Sequence, residues 1–137
     1  MLSIISIIIF TNASKVLGVY FDKTIKWDEH VFKLCKKLST ALFVIRSLTK
    51  LVDNNVLRYC YFAYFHSLIM YGLEIWGHAP QYLFLKVFKL QKSAIRMLSN
   101  ADYRDSCREF NLFEKQNILP LPALYIFQIL LFVKKNP

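Results

Sequence analysis

Apolar residues fall in two distinct rhythms along this chain. Val31, Leu34, Leu38, Ala41, Leu42, Ile45 and Leu48 recur at intervals of three and four, the pattern of a helix with one buried face. The spacing predicts a helix from near Trp27 to about Leu48, preceded by Thr24 or Lys26. Asp28 and Glu29 fall in its first turn, where carboxylates complement the helix dipole. Lys33, Lys36 and Lys37 share its opposite side. A second helix, capped by Asp53 and running to about Gly77, has another character. Tyr59 to Gly77 carries aromatic residues on every helical face and no charge before Glu74, which predicts a segment buried on all sides. A third helix starts at Pro80, a residue suited to a first turn. It turns Leu83, Val87, Leu90, Ala94 and Leu98 inward and places Lys86, Lys89, Lys92 and Arg96 on one outer face. Asn100 closes it.

The remainder is shorter in period. Ala101 to Asp105 reads as a loop exposing Tyr103 and Arg104, followed by a short helix. Pro120 and Pro122 interrupt the pattern before a last apolar helix, Ala123 to Val133, which ends in Lys134 and Lys135. At the other end, Lys15 to Asp22 is β-branched and aromatic, as a short strand is. Gly18 inside it marks a bulge or a close backbone approach. The isoleucine-rich run Ile4 to Phe10 also reads as a strand, because the uncharged opening has neither a basic start nor a small-residue cleavage site. The expected fold is therefore mainly α, a bundle of three main helices plus C-terminal helices, preceded by one or two short β-strands. It divides into a strand region at 1–25, a helical region at 26–100, and a loop with C-terminal helices at 101–137.

Charge decides how the apolar segments are used. The uncharged run between Arg58 and Glu74 covers fifteen residues, whereas a membrane-spanning helix needs roughly 20. The run Gln116 to Val133 reaches eighteen but contains two prolines. Both are expected to pack rather than span. Lys and Arg number 18 against 9 acids, a net +9 that must sit on exposed helix faces and attract polyanions. A hydrophobic fraction of 55% exceeds ordinary usage and points to apolar surface that packs against a partner.

Chemistry-bearing residues are sparse. Cys35, Cys60 and Cys107 form no CxxC pair and are read as reduced. His30, His66 and His78 have no metal-ligand spacing. No catalytic residues and no metal ligands are assigned. The acids are scattered, Asp28 and Glu29 diverge on a helix, and there is no phosphate-binding glycine loop or nucleophile elbow. The chain is expected to complete no reaction alone. Trp76 and Tyr71 are read as core anchors whose Trp N–H and Tyr hydroxyl reach the domain edge. His66 is read as a hydrogen-bonded buried histidine.

Several short segments in order resemble one family. Lys15 to Asp22 (Lys-Val-Leu-Gly-Val-Tyr-Phe-Asp) with Trp27 and His30 is similar to the last conserved block of reverse transcriptases from LINE-type, jockey-like retrotransposons without long terminal repeats. The likeness continues through His66-Ser67, Tyr71-Gly72, Trp76-Gly77, Leu90-Gln91-Lys92, Ala94, Arg96 and Tyr103-Arg104. It extends to Ile118-Leu119-Pro120-Leu121, Leu124-Tyr125 and Phe132-Val133-Lys134-Lys135, covering about residues 15 to 136.

The resemblance implies a place within an RNA-directed DNA polymerase. Leu17-Gly18-Val19 would belong to the primer-grip hairpin at the palm edge, and residues 27 to about 100 to the thumb that closes on the RNA/DNA template-primer duplex. Gly18, Lys33, Lys36, Lys37, Lys89, Lys92 and Arg96 are then the candidate nucleic-acid contacts. The palm domain of the same polymerase would be the second partner, and the setting intracellular. The family's Tyr/Phe-Ala-Asp-Asp segment has no counterpart here. No cofactor is therefore expected, since magnesium would come only with that segment, and the chain is expected to be inactive by itself, as a truncated or decayed element or an incomplete gene model. The residues leave two other readings open. One is a small basic membrane-associated helical protein without catalytic activity, its Lys-rich faces on anionic lipid. The other is a product that does not fold alone.

Overall fold

A computed structural model describes residues 14–16, 19–21, 27–102, 104–107 and 111–135. Strand β1 (Ser14–Val16) pairs antiparallel with β2 (Val19–Phe21) in the register Ser14 to Phe21 and Val16 to Val19. The stretch read as one strand is thus divided into two paired pieces. Gly18 and the run Ile4 to Phe10 lie outside the described residues. The other regular elements of the described chain are helical: α1 (Asp28–Leu48), α2 (Asn54–Cys60), a π segment (Tyr61–His66), α3 (Ser67–Met70), α4 (Leu73–Trp76), α5 (Gln81–Leu98), α6 (Leu112–Gln116) and α7 (Leu121–Lys135).

α1 follows its apolar stripe. Val31, Leu34, Leu38, Ala41, Leu42 and Ile45 are buried, and Leu48 packs at the margin of the core. Its N-cap is Trp27, held in the left-handed region at φ 65° with no side-chain cap. α1 lies along α5. The Tyr82 hydroxyl donates to Asp28 Oδ1 at 3.1 Å, and Phe32, Cys35, Leu83 and Lys86 line one groove. The two long helices therefore start together and run in the same sense, and α2 to α3 form the return between them.

That return is where the structure departs most from the pattern. Asp53 caps α2, accepting from the Val56 amide at 2.9 Å. The helix does not continue to Gly77: it ends at Met70, and Gly72 takes a left-handed φ of 71° that L side chains rarely adopt. Nor is it buried on all sides. Tyr59, Tyr64 and Tyr71 are exposed, so Tyr71 is a surface residue rather than a core anchor. Only the stripe Leu57, Tyr61, Phe65, Ile69 and Leu73 is fully inside. In an α-helix a four-residue spacing drifts by about 40° at each step. The wider π turn rotates less per residue and brings the stripe back toward one side.

Trp76 is completely buried, and its Nε1 has no hydrogen-bond partner, so it does not reach the domain edge. His66 is half-buried between the Tyr61 and Phe62 rings. Its Nδ1 is also buried without a partner, contrary to the hydrogen-bonded histidine expected. Burial lowers the basicity of that imidazole. The three cysteines are free thiols.

α5 ends as the Asn100 signal anticipates. Asn100 is left-handed at φ 53°, the Asn100 amide bonds the Met97 carbonyl, and the Ala101 amide bonds the Arg96 carbonyl at 2.9 Å, the two bonds of a Schellman ending. Pro122 does not interrupt the last helix. It occupies the first turn of α7, where a missing N–H costs nothing.

Two contacts lock the C-terminal part to the bundle. Gln91 is wholly buried in α5: its Nε2 donates to the Leu119 carbonyl at 3.1 Å and to the Tyr61 hydroxyl at 3.2 Å, and its Oε1 accepts from the Leu121 amide at 2.7 Å. Gly77 receives α7, since a Cβ there would collide with the Tyr125 ring and lie 2.7 Å from the Leu73 carbonyl oxygen. Tyr125 in turn shares a 3.0 Å hydrogen bond with His78 Nδ1. Gly77→Ala is accordingly expected to destabilise the fold by about 1–3 kcal/mol, the usual cost of overpacking. Chemical denaturation reads this directly, and the added cost of Gly77→Ala should be smaller in a Tyr125→Ala background than in wild type.

Candidate nucleic-acid interface

The cations anticipated as one set occupy three settings. Lys36 and Lys37 on α1, and Lys89 on α5, are exposed. Lys33 is partly exposed and sits 3.6 Å from Glu29, one turn earlier, in the favourable acid-before-base order. Such a pair holds about 0.3–0.5 kcal/mol at a surface and gives way readily to a phosphate. Lys92 and Arg96 are half-covered. The Lys92 ammonium lies 4.3 Å from the centre of the Phe88 ring, and Arg96 Nε donates to the Asp105 carbonyl at 2.9 Å.

Lys86 is exposed as well, but on the flank of α5 that faces α1. It stands in a groove of about 560 Å³ with Asp28, Glu29, Phe32, Cys35 and Leu83, so the single outer face drawn from Lys86 to Arg96 is split. The reason is lateral packing: α1 lies on one flank of α5, and described residues of 106–107 and 111–120 line the other, where Lys92 and Arg96 emerge.

Two aromatic side chains belong with the lysines and were missed. Phe32 and Phe43 are each 70% exposed, four residues before and seven after Lys36. All three therefore share one side of α1. The signal was present in that spacing, because a phenylalanine in register with an outer lysine cannot also face the stripe of Val31, Leu34 and Leu38. Cations interleaved with exposed rings suit a strand of phosphates and bases. Single exposed apolar residues are common on protein surfaces, and it is the shared register with Lys36 that sets this pair apart.

Comparison with protein-family models, with curated proteins and with solved structures gives no match.

Residues that carry the family resemblance meet in space although they are far apart in the chain. Trp76-Gly77 meets Tyr125 across α4 and α7. Gln91 joins Leu119 and Leu121 to Tyr61. Arg96 joins the loop at Asp105. Their roles here are to pack and clasp, and the exposed lysines lie elsewhere. Among the described residues no three His, Cys, Asp or Glu side chains gather as a metal site, and no helix is long and apolar enough to cross a membrane.

Proposed function

We propose that this chain is the primer-grip and thumb portion of a retrotransposon reverse transcriptase of the LINE-type, jockey-like kind, and that it holds the template-primer duplex through basic helix faces. The observation that carries this reading is the outer side of α1, where Lys36 stands open between Phe32 and Phe43, with Lys37 exposed about a quarter-turn round the helix, on a chain of net charge +9. Lysines that touch phosphate bind without regard to sequence and release counterions. A polymerase thumb needs that kind of grip as the duplex moves through it. α7 adds support for a protein partner: Leu121 and Leu124 are buried, while Ile126, Phe127, Leu130 and Val133 are exposed. That apolar face suits the palm domain of the same polymerase.

The test is fluorescence anisotropy with an RNA–DNA duplex across a salt series. Log affinity is expected to fall linearly with log salt, and Lys36→Glu, Lys37→Glu and Lys89→Glu are each expected to flatten that slope by about 1. Unfolding curves should remain those of the wild type, because all three side chains lie outside the core. Affinity that ignores salt, or charge reversals that leave the slope untouched, would sink the proposal. Partitioning onto anionic vesicles with no duplex binding would transfer the basic faces to the lipid reading.

A further inference from the structure

A cavity of about 910 Å³ opens between α5 and the segment leading into α7, within the range of sites that bury small ligands. Phe88, Phe113, Leu119 and Pro120 form its apolar walls, and Cys107 and Ile118 are buried in them. The Phe88 and Phe113 rings are 6.1 Å apart and tilted by 34°. Lys92 and Arg96 supply two cations one helical turn apart. Arg96 spends Nε on the Asp105 carbonyl, and a guanidinium has four further N–H donors. Asn111, Asn117 and Glu114 also line the cavity and are exposed.

We infer that this cavity receives one unpaired nucleotide of the bound nucleic acid, its phosphate at Lys92 and Arg96 and its base against Phe113. Three features select that ligand class. The paired cations match a phosphate, and the aromatic wall matches a flat base. The two amides and the carboxylate match the donors and acceptors of a base edge, for which an acyl chain has no use. Glu114, the one acid among the described lining residues, favours a base with an exocyclic amino group. The nucleotide must be unpaired, because a base stacked in a duplex cannot enter a recess. The inference rests on the nucleic-acid reading above and adds to it a preference for a junction between duplex and single strand.

The experiment compares a blunt RNA–DNA duplex with the same duplex bearing a short single-stranded overhang that carries 2-aminopurine, using the full chain. Wild type should bind the overhang probe about tenfold more tightly and quench the 2-aminopurine, since stacking one base on an aromatic side chain is worth roughly five- to a hundredfold in affinity. Phe113→Leu should abolish the quenching and most of the overhang preference, while blunt-duplex binding stays as in wild type and the thermal melt shows the protein still folded. Equal affinity of wild type for the two probes overturns this inference and leaves duplex binding standing. Binding of neither probe overturns both. A thermal shift with oleate and none with adenosine 5′-monophosphate gives the cavity to an acyl acid and likewise overturns it.

Discussion

Gln91→Leu is expected to lower unfolding stability by about 2–4 kcal/mol, because it leaves the buried Leu121 amide, the part-buried Leu119 carbonyl and the Tyr61 hydroxyl without this partner at once. The Leu121 amide loses its acceptor at 2.7 Å and the Leu119 carbonyl loses its donor at 3.1 Å. Each such loss costs about 1–3 kcal/mol when water cannot replace the partner. The Tyr61 oxygen loses a third contact. Burial already holds the Tyr61 hydroxyl in its neutral form, pushing it up to about 12 against the small opposing effect of the Gln91 hydrogen bond. Leucine fills nearly the same space, so the loss would be one of hydrogen bonds rather than of packing. Tyr61→Phe is the matched control: it removes the weakest of the three contacts and leaves the other two, for an expected cost of about 1 kcal/mol. Urea unfolding of the three proteins decides the matter. A leucine variant within 1 kcal/mol of wild type would show that water reaches Leu119 and Leu121 and that the clasp is not dry.

Gln91 shows how a legible apolar stripe can leave out a core position held by a polar residue. It lies four residues after Val87 and three before Ala94, within the inward stripe of α5, so its position was visible while its polarity argued against the core. The same spacing reasoning placed α1 and α5 well, because both are regular and amphipathic and their apolar residues outnumber the exceptions. It failed from Tyr59 to Gly77 for a different reason. A segment aromatic on all faces carries no stripe to read, and a π turn is set by which carbonyl each amide finds, a choice with no side-chain signature. Gly72 was the available break signal, since a glycine inside a helical run is a place to stop as well as a residue to tolerate. The basic residues divide along the same line. Lys36 and Lys37 were legible as outer residues from one helix alone. The separation of Lys86 from Lys92 and Arg96 depends on which neighbours flank α5, and that is a property of the tertiary fold.

Acid should unfold this protein through His30 before its carboxylates are neutralised. His30 is buried in α1, with its ring 6.4 Å from Trp27 and 6.0 Å from Trp76. Burial in that aromatic setting, reinforced by the positive charge of Lys37, pushes the imidazole down to about 4. An unfolded histidine titrates near 6.5. With the folded value below the unfolded one, the unfolded chain binds the proton first as pH drops. The stability due to neutral His30 is thus complete above about pH 6.5, declines as pH falls from there, and is gone below about 4. The span of roughly 2.5 units corresponds to about 3 kcal/mol. His66, also lowered by burial, acts in the same direction. Urea unfolding at pH 7.5 and 4.5 measures the loss, and His30→Leu isolates it. The variant should fall less steeply between the two pH values, by about 2–3 kcal/mol, even if it is the weaker protein at pH 7.5. Parallel losses in wild type and variant would mean that His30 accepts its proton inside the fold, and that the space between Trp27 and Trp76 admits a charge.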